Sequence, residues 1–223
     1  MSGTVLVLCG GIGSRFRSIS SSPKILAPFR DGRFIDWLLP YLHKQGFDRV
    51  VLSVGYKAEE IQSFVEQQSY PLAVEFLKEE NQLGTGGALL NFFNQYQMNE
   101  VCVVNGDTFW TKDFPSDFHK KHLNLAICLT KTLAHNDRYG DMVVKAGQLS
   151  IKRGSVNAPI RASNIYIGVA RVSSNISFNN LEYPFSLETL FQQQKGGVGL
   201  VDYDGGMIDF GVPDAYRELL ESQ

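Results

Sequence analysis

The sequence predicts an α/β fold: a single Rossmann-like, three-layer domain around a mostly parallel mixed sheet, with a small β-rich region in its second half. Three observations carry this. The first half alternates short apolar runs with segments whose apolar residues recur at helical spacing, and that alternation implies a parallel sheet covered on both faces. The first run, Val5-Leu6-Val7-Leu8-Cys9, breaks directly into Gly10-Gly11-Ile12-Gly13-Ser14-Arg15, as a buried strand does when it feeds a ligand-binding loop. From Leu123 onward short strands follow one another with one good helix before the last, so the sheet is mixed.

In chain order, the loop leads through Ser20-Ser21-Ser22, expected to be mobile until a ligand orders it, to Pro23-Lys24. Residues 34–46 carry Ile35, Leu38, Leu39 and Leu42 at helical spacing and stop at Gly46, so a core helix is expected there. Pro40 must kink it or sit in its first turn. Residues 49–54 read as a buried strand, 57–68 as an amphipathic helix through Ala58, Ile61 and Val65, and 72–77 as a third strand. A helix over 84–96 and a strand over 101–104 complete the first half. Strands are expected over 125–130, 142–145 and 165–172, and helices over 186–193 and from Pro213.

The glycine loop suits a phosphate. Its glycines remove side chains where an anion would approach backbone N–H groups, Arg15 adds a fork of donors, and Lys24 a mobile charge held after Pro23 in an extended turn. Two better-known loops are excluded. No Gly-Lys-Ser/Thr triplet ends the loop, and Phe16 stands where the dinucleotide pattern needs its third glycine.

Two carboxylates add a second element of chemistry. Asp107 follows four apolar residues and the Asn105-Gly106 turn, where ligands gather beyond the carboxyl ends of strands. Asp209 lies in the apolar run Met207-Ile208-Asp209-Phe210, where an ionised group is costly unless a cation or strong donors compensate it. A distant pair of this kind is what a magnesium-assisted transfer to or from a nucleoside triphosphate needs. Asp214 is better placed to serve the first turn of the last helix.

Composition narrows the class. With 223 residues, 43% hydrophobic and 20% charged, the chain suits one soluble α/β domain. A formal net charge of −2 and no arginine-rich stripe exclude nucleic acid as a partner. No apolar run approaches the roughly 20 residues of a membrane span, and the N-terminus carries no export signal, so a cytoplasmic protein is expected. Cys9, Cys102 and Cys128 each sit in apolar runs and read as small buried hydrophobes. His119 and His122 flank two lysines without a third ligand and read as a solvated face.

At these residues the chain resembles the sugar-1-phosphate nucleotidyltransferases, whose opening pattern is a strand, Gly-Gly-x-Gly-Ser/Thr-Arg and a later Pro-Lys. The likeness recurs at Gly84-Thr85-Gly86-Gly87-Ala88, Asn105-Gly106-Asp107-Thr108, Asp137-Arg138-Tyr139-Gly140 and Ile208-Asp209-Phe210-Gly211-Val212-Pro213, so it covers nearly the whole chain. Among subfamilies it is most similar to the D-glycero-α-D-manno-heptose 1-phosphate guanylyltransferases.

The resemblance implies the nucleotide-diphospho-sugar transferase type of fold, one domain over 1–223 with a nucleotide-binding half over 1–110 and a sugar-binding half over 111–223. It implies transfer of GMP from GTP, or of another nucleoside monophosphate, to a sugar 1-phosphate by a monomer or homodimer. Asp107 and Asp209 would bind Mg2+. Arg15 would serve the leaving phosphates, and Lys24 the α-phosphate and the sugar phosphate. Leu8 and the loop Gly10, Gly11, Gly13 and Ser14 would hold the triphosphate and ribose. Glu79 or Glu80, with Gly84 and Thr85, would face the base. Asn105, Tyr139, Gly140, Arg153 and Glu188 would face the sugar. Two departures bear on the sugar: Lys152-Arg153 stands where the family has Glu-Lys, and Tyr166-Ile167-Gly168 where it has Asn-Gly-Gly. Mannose 1-phosphate as acceptor, or a regulatory subunit that binds without turnover, are the alternatives.

Overall fold

The computed structural model describes residues 3–116, 118, 123–130, 139–153 and 164–222. His119, His122 and the Asp137-Arg138 pair lie outside the described residues. In chain order the strands are β1 (Gly3–Leu8), β2 (Pro28–Phe29), β3 (Gly32–Arg33), β4 (Phe47–Val54), β5 (Ala73–Lys78), β6 (Glu100–Asn105), β7 (Thr108–Trp110), β8 (Leu125–Thr130), β9 (Gly140–Lys145), β10 (Gln148–Arg153), β11 (Ile165–Ser173), β12 (Val198–Tyr203) and β13 (Met207–Asp209). The α-helices are α1 (Phe34–Lys44), α2 (Ala58–Glu66), α3 (Gly84–Gln95), α4 (Leu187–Gln193) and α5 (Pro213–Glu221). Among the described residues no helix is long and apolar enough to cross a membrane.

The chain divides into two compact units that interleave in sequence. The first takes Met1–Leu83, Val104–Trp110 and Met207–Gln223; the second takes Gly84–Val103 and Thr111–Gly206. Sequence alone draws its line at residue 110. The structure returns the last segment to the first unit because β13 pairs antiparallel with β7, setting Asp209 opposite Thr108.

In the first unit β1 pairs parallel with β4, and β4 with β5. Val5, Leu6 and Val7, and Val50 to Leu52, are consecutive and wholly buried. Successive side chains on a strand point to opposite faces, so both faces of this sheet are covered. Phe34, Ile35, Leu38, Leu39 and Leu42 of α1 and Ala58, Ile61 and Val65 of α2 supply buried stripes at the expected spacing. Pro40 lies inside α1, beyond its first turn. It has no N–H for the Asp36 carbonyl four residues back, and it is tolerated because the residue stands on the exposed side. An aromatic cluster of Phe29, Phe34, Trp37, Phe109 and Phe210 fills the unit, with Phe34 and Phe210 edge to face at 4.6 Å.

The second unit is mixed. All six residues of β8 are buried; β11 pairs antiparallel with it and β12 parallel. β9 and β10 form a hairpin closed by Ala146 and Gly147, both at positive φ, the conformation a two-residue turn needs to match strand twist. The residues of β6 divide between the units, Glu100 to Val103 in the second and Val104 and Asn105 in the first.

Candidate active site

The glycine loop is built where β1 ends. Leu8 stands opposite Ser53 of β4, and the Ser53 carbonyl accepts both the N–H and the thiol of Cys9, each at 3.0 Å. Burial, with the charges of Glu79 and Asp107, pushes that thiol far above the ordinary cysteine range. The Cys9 thiol is therefore a neutral donor; Cys102 and Cys128 are buried as their apolar runs predict, whereas Cys9 is only half-buried, because it stands just past the end of β1 where the chain turns into the glycine loop. The Gly10 carbonyl accepts from the Tyr56 N–H at 3.1 Å.

Each glycine has its own reason. A Cβ on Gly10 would lie 2.7 Å from Glu79 Oε1, and one on Gly13, which sits at φ +61°, would lie 2.9 Å from Lys24 Cε. A Cβ on Gly11 would meet nothing within 4 Å. Packing among the described residues therefore does not require glycine at 11. Phe16 follows in a short 3-10 turn and is buried edge to face against Phe210 and Tyr216, at 6.2 and 5.2 Å. Burying such a ring contributes about 1.5–3 kcal/mol, and it pins the loop to the segment that carries Asp209. Arg15 and Ser14 are exposed at the head of that turn.

Lys24 begins a second 3-10 turn after Pro23, whose ψ of 144° is extended as the sequence implied. Its Nζ lies 2.6 Å from Asp107 Oδ2, and both side chains are 24% exposed. Asp107 is aimed by the turn after β6. The Gly106 N–H donates to the Leu8 carbonyl at 3.0 Å, and a Gly106 Cβ would crowd that oxygen at 2.9 Å. The Phe210 N–H donates to the Asp107 carbonyl at 3.0 Å, and Asp209 Oδ1 accepts from the Gly211 N–H at 3.0 Å.

The three charges converge on Gly211. A Cβ there would stand 3.1 Å from Asp209 Oδ1, 3.2 Å from Lys24 Nζ and 3.5 Å from Asp107 Oδ2. Among the described residues no three His, Cys, Asp or Glu side chains gather as a metal site. Two hard carboxylates around a glycine-kept space suit a magnesium ion, which takes one or two carboxylates and completes its shell with water and substrate phosphate.

Sequence reasoning left Glu79 and Glu80 as equals. Glu80 is exposed, whereas Glu79 lies against Gly10, held by the Ser53 hydroxyl at 2.7 Å. Burial raises the Glu79 pKa, opposed by bonds from Ser53 and the Leu83 N–H. Ser53 and Gly211 were not among the sequence-derived candidates. The legible signal for Ser53 was one polar residue inside the run 50–54; for Gly211 there was only its place in the Asp-Phe-Gly triplet.

In the second unit Gly84 sits at φ +75°, and the Thr85 hydroxyl accepts from the Leu187 N–H at 2.9 Å, tying α3 to the first turn of α4. Glu188 is half-buried in that turn; Asn105, which belongs to the first unit, is half-buried at the end of β6. Tyr139 precedes β9, and Gly140 faces Arg153 across the β9–β10 ladder. Tyr166, at a departure from the family pattern, buries its hydroxyl without a hydrogen-bond partner among the described residues and packs edge to face on Phe191 at 5.8 Å. Burial first, then the charge of Glu188, holds that phenol well above the ordinary tyrosine range.

Comparison with known proteins gives the family. A family model, the MobA-like NTP transferase domain, matches residues 5–141. A D-glycero-α-D-manno-heptose 1-phosphate guanylyltransferase of Campylobacter jejuni is 33% identical over 96% of this chain and 97% of its own length. One from Aneurinibacillus thermoaerophilus is 30% identical over 96% and 95%. The crystal structure of HddC from Yersinia pseudotuberculosis is similar with a TM-score of 0.81 at 27% identity, covering 99% of both chains, and another structure of HddC is a complex with GMP-PN. A UDP-glucose pyrophosphorylase shares the fold, with a TM-score of 0.80 at 16% identity over 100% of this chain and 98% of its own. The glycine loop, the paired aspartates and these likenesses together make the chain a member of the MobA-like NTP transferase family, among the sugar-1-phosphate nucleotidyltransferases.

Proposed function

We propose that the protein transfers GMP from GTP to D-glycero-α-D-manno-heptose 1-phosphate, releasing pyrophosphate and forming GDP-heptose. The observation that carries the reading is the meeting of Lys24, Asp107 and Asp209 around Gly211 beside a phosphate-binding loop. Two guanylyltransferases similar over nearly the full length support the choice of base and sugar.

A sugar-phosphate oxygen is already ionised at neutral pH, so no protein nucleophile is needed. That oxygen forms a new bond to the α-phosphorus of GTP as the bond to the β-phosphate oxygen breaks, and pyrophosphate leaves in line. What the chain must supply is position and charge. Backbone N–H groups of Gly10 to Ser14 bind the phosphates, with Leu8 beside the ribose. Lys24, steered by Gly13, holds the α-phosphate and the incoming sugar phosphate together, and Arg15 draws the charge of the leaving group. Asp107 and Asp209 would hold a magnesium ion, which when bound neutralises phosphate charge. Glu79 accepts from the base, while Asn105, Tyr139, Gly140, Arg153 and Glu188 face the sugar.

The test is pyrophosphate release from GTP and magnesium with the heptose phosphate, beside mannose 1-phosphate, and with Asp107→Asn as control. Heptose-dependent release that falls about 100-fold or more in the variant is expected. Release with mannose phosphate alone would keep the chemistry and replace the acceptor. Silence with every sugar phosphate and every triphosphate would overturn the reading.

A further inference from the structure

Ser53 lies behind the glycine loop, in the buried and otherwise aliphatic second half of β4. It is 0% exposed, and its neighbours Val50, Val51, Leu52 and Val54 are buried aliphatic residues. A hydroxyl at such a place costs desolvation unless it finds a partner, and an apolar side chain would complete the core without that cost. Its partner is Glu79: the Ser53 Oγ donates to Glu79 Oε1 at 2.7 Å.

Both ends of that bond are fixed. The Ser53 carbonyl is tied to the N–H and thiol of Cys9, and the Glu79 N–H donates to the Val54 carbonyl at 2.8 Å. The carboxylate lies so close to Gly10 that no Cβ would fit between them. Ser53 and the Leu83 N–H hold it, and an ionised carboxylate with about four acceptor sites keeps two for a ligand.

We infer that Ser53 is a positioning residue for base recognition: by holding the Glu79 carboxylate against Gly10 in one orientation, it sets the preference for a purine presenting a ring N–H and an exocyclic amino group on one edge. This rests on the guanylyltransferase reading above. Guanine carries that pair of donors, hypoxanthine only the ring N–H, and adenine no ring N–H there. A carboxylate free to rotate would still bind charge and water but would match two donors less well.

The experiment compares kcat/KM for GTP, ITP and ATP in the wild type, Ser53→Ala, Ser53→Thr, Glu79→Gln and the Ser53→Ala/Glu79→Gln double variant. Ser53→Ala is expected to raise KM for GTP about tenfold with kcat within about twofold, as loss of one bond to a charged group implies. The GTP-over-ITP preference should shrink toward that of Glu79→Gln, and Ser53→Thr should restore it. Adding Ser53→Ala to Glu79→Gln should cost nothing further, because one acts through the other. The acid fall of kcat/KM for GTP should begin at higher pH in Ser53→Ala, since a bond favouring the ionised carboxylate is gone. Equal losses for all three triphosphates, or losses that add in the double variant, would make Ser53 merely structural. A guanine-selective wild type left selective by Ser53→Ala overturns the inference alone. A wild type with no guanine preference overturns the guanylyl reading and the inference with it.

Discussion

Lys24 Nζ stands 2.6 Å from Asp107 Oδ2, and the Gly211 N–H donates to Asp209 Oδ1 at 3.0 Å. Gly211 is the residue that gives these charges common space. Gly211→Ala would bring a methyl within 3.1–3.5 Å of all three, tight enough to push flexible side-chain ends apart without forcing the backbone. The expected result is a loss of turnover of about tenfold or more with a Tm close to wild type, read by pyrophosphate release and thermal unfolding. Glu79 gives a pH-dependent counterpart. Burial raises its pKa in the folded chain above the unfolded value, so between those two values the folded protein holds more protons and stability falls as pH rises. Glu79→Gln should therefore have the higher Tm near pH 7, with the gain closing as pH falls to the ordinary carboxylate range, while its selectivity for GTP is lost. Thermal unfolding across pH 4 to 8 checks the sign.

Elements were legible where one periodicity dominated. Residues 125–130 form β8 with the predicted bounds, and α1 to α5 lie where helical spacing and breakers put them, within a few residues. β12 was not legible because Gly199 and Asp202 interrupt its apolar run, yet it pairs with β8 along six residues. Its glycine answers to a neighbour, Leu123, which crowds the place a Cβ would take. The same holds at α3. Gly86 reads as a family motif residue, and the structure gives it a packing reason: a Cβ there would lie 2.5 Å from Phe185 Cδ2 and 2.8 Å from the Ser186 carbonyl. Gly86→Ala should destabilise the protein by about 1–3 kcal/mol through overpacking of the α3–α4 contact, measured by denaturant midpoint, with the KM for GTP little changed. The gathering of Lys24 and Asp107 near the glycine loop was legible because that loop, which runs on to Lys24, and the turn of Asp107 each follow the end of an apolar run that reads as a strand. The choice between Glu79 and Glu80 was not, since adjacent residues on a strand end differ only in the face they take. The loop of Ser20 to Ser22, expected to be mobile, is bonded to α2 through the Lys57 Nζ, which donates to the Ser21 carbonyl at 2.8 Å. Lys57 itself holds a left-handed conformation at φ +54° ahead of α2, which no spacing rule announces.

At the scale of the molecule, the first unit is assembled from three separated stretches of chain, and its glycine loop and Asp209 come from the first and the last of them. A fragment of residues 1–110 keeps the loop, Lys24 and Asp107 but loses β13, with which β7 pairs, and the rings of Phe210 and Tyr216 against which Phe16 packs. It is expected to show no cooperative thermal transition by circular dichroism; a sharp transition would mean that β1, β4 and β5 with their helices suffice. The same interleaving orders events during synthesis. Chains fold as they emerge, N-terminal parts first, so the glycine loop leaves the ribosome long before the strand that carries Asp209. The glycine loop, first of these parts to be made, thus waits longest for its neighbours, and a chain stalled before residue 207 carries that loop and Lys24 without the carboxylate of Asp209.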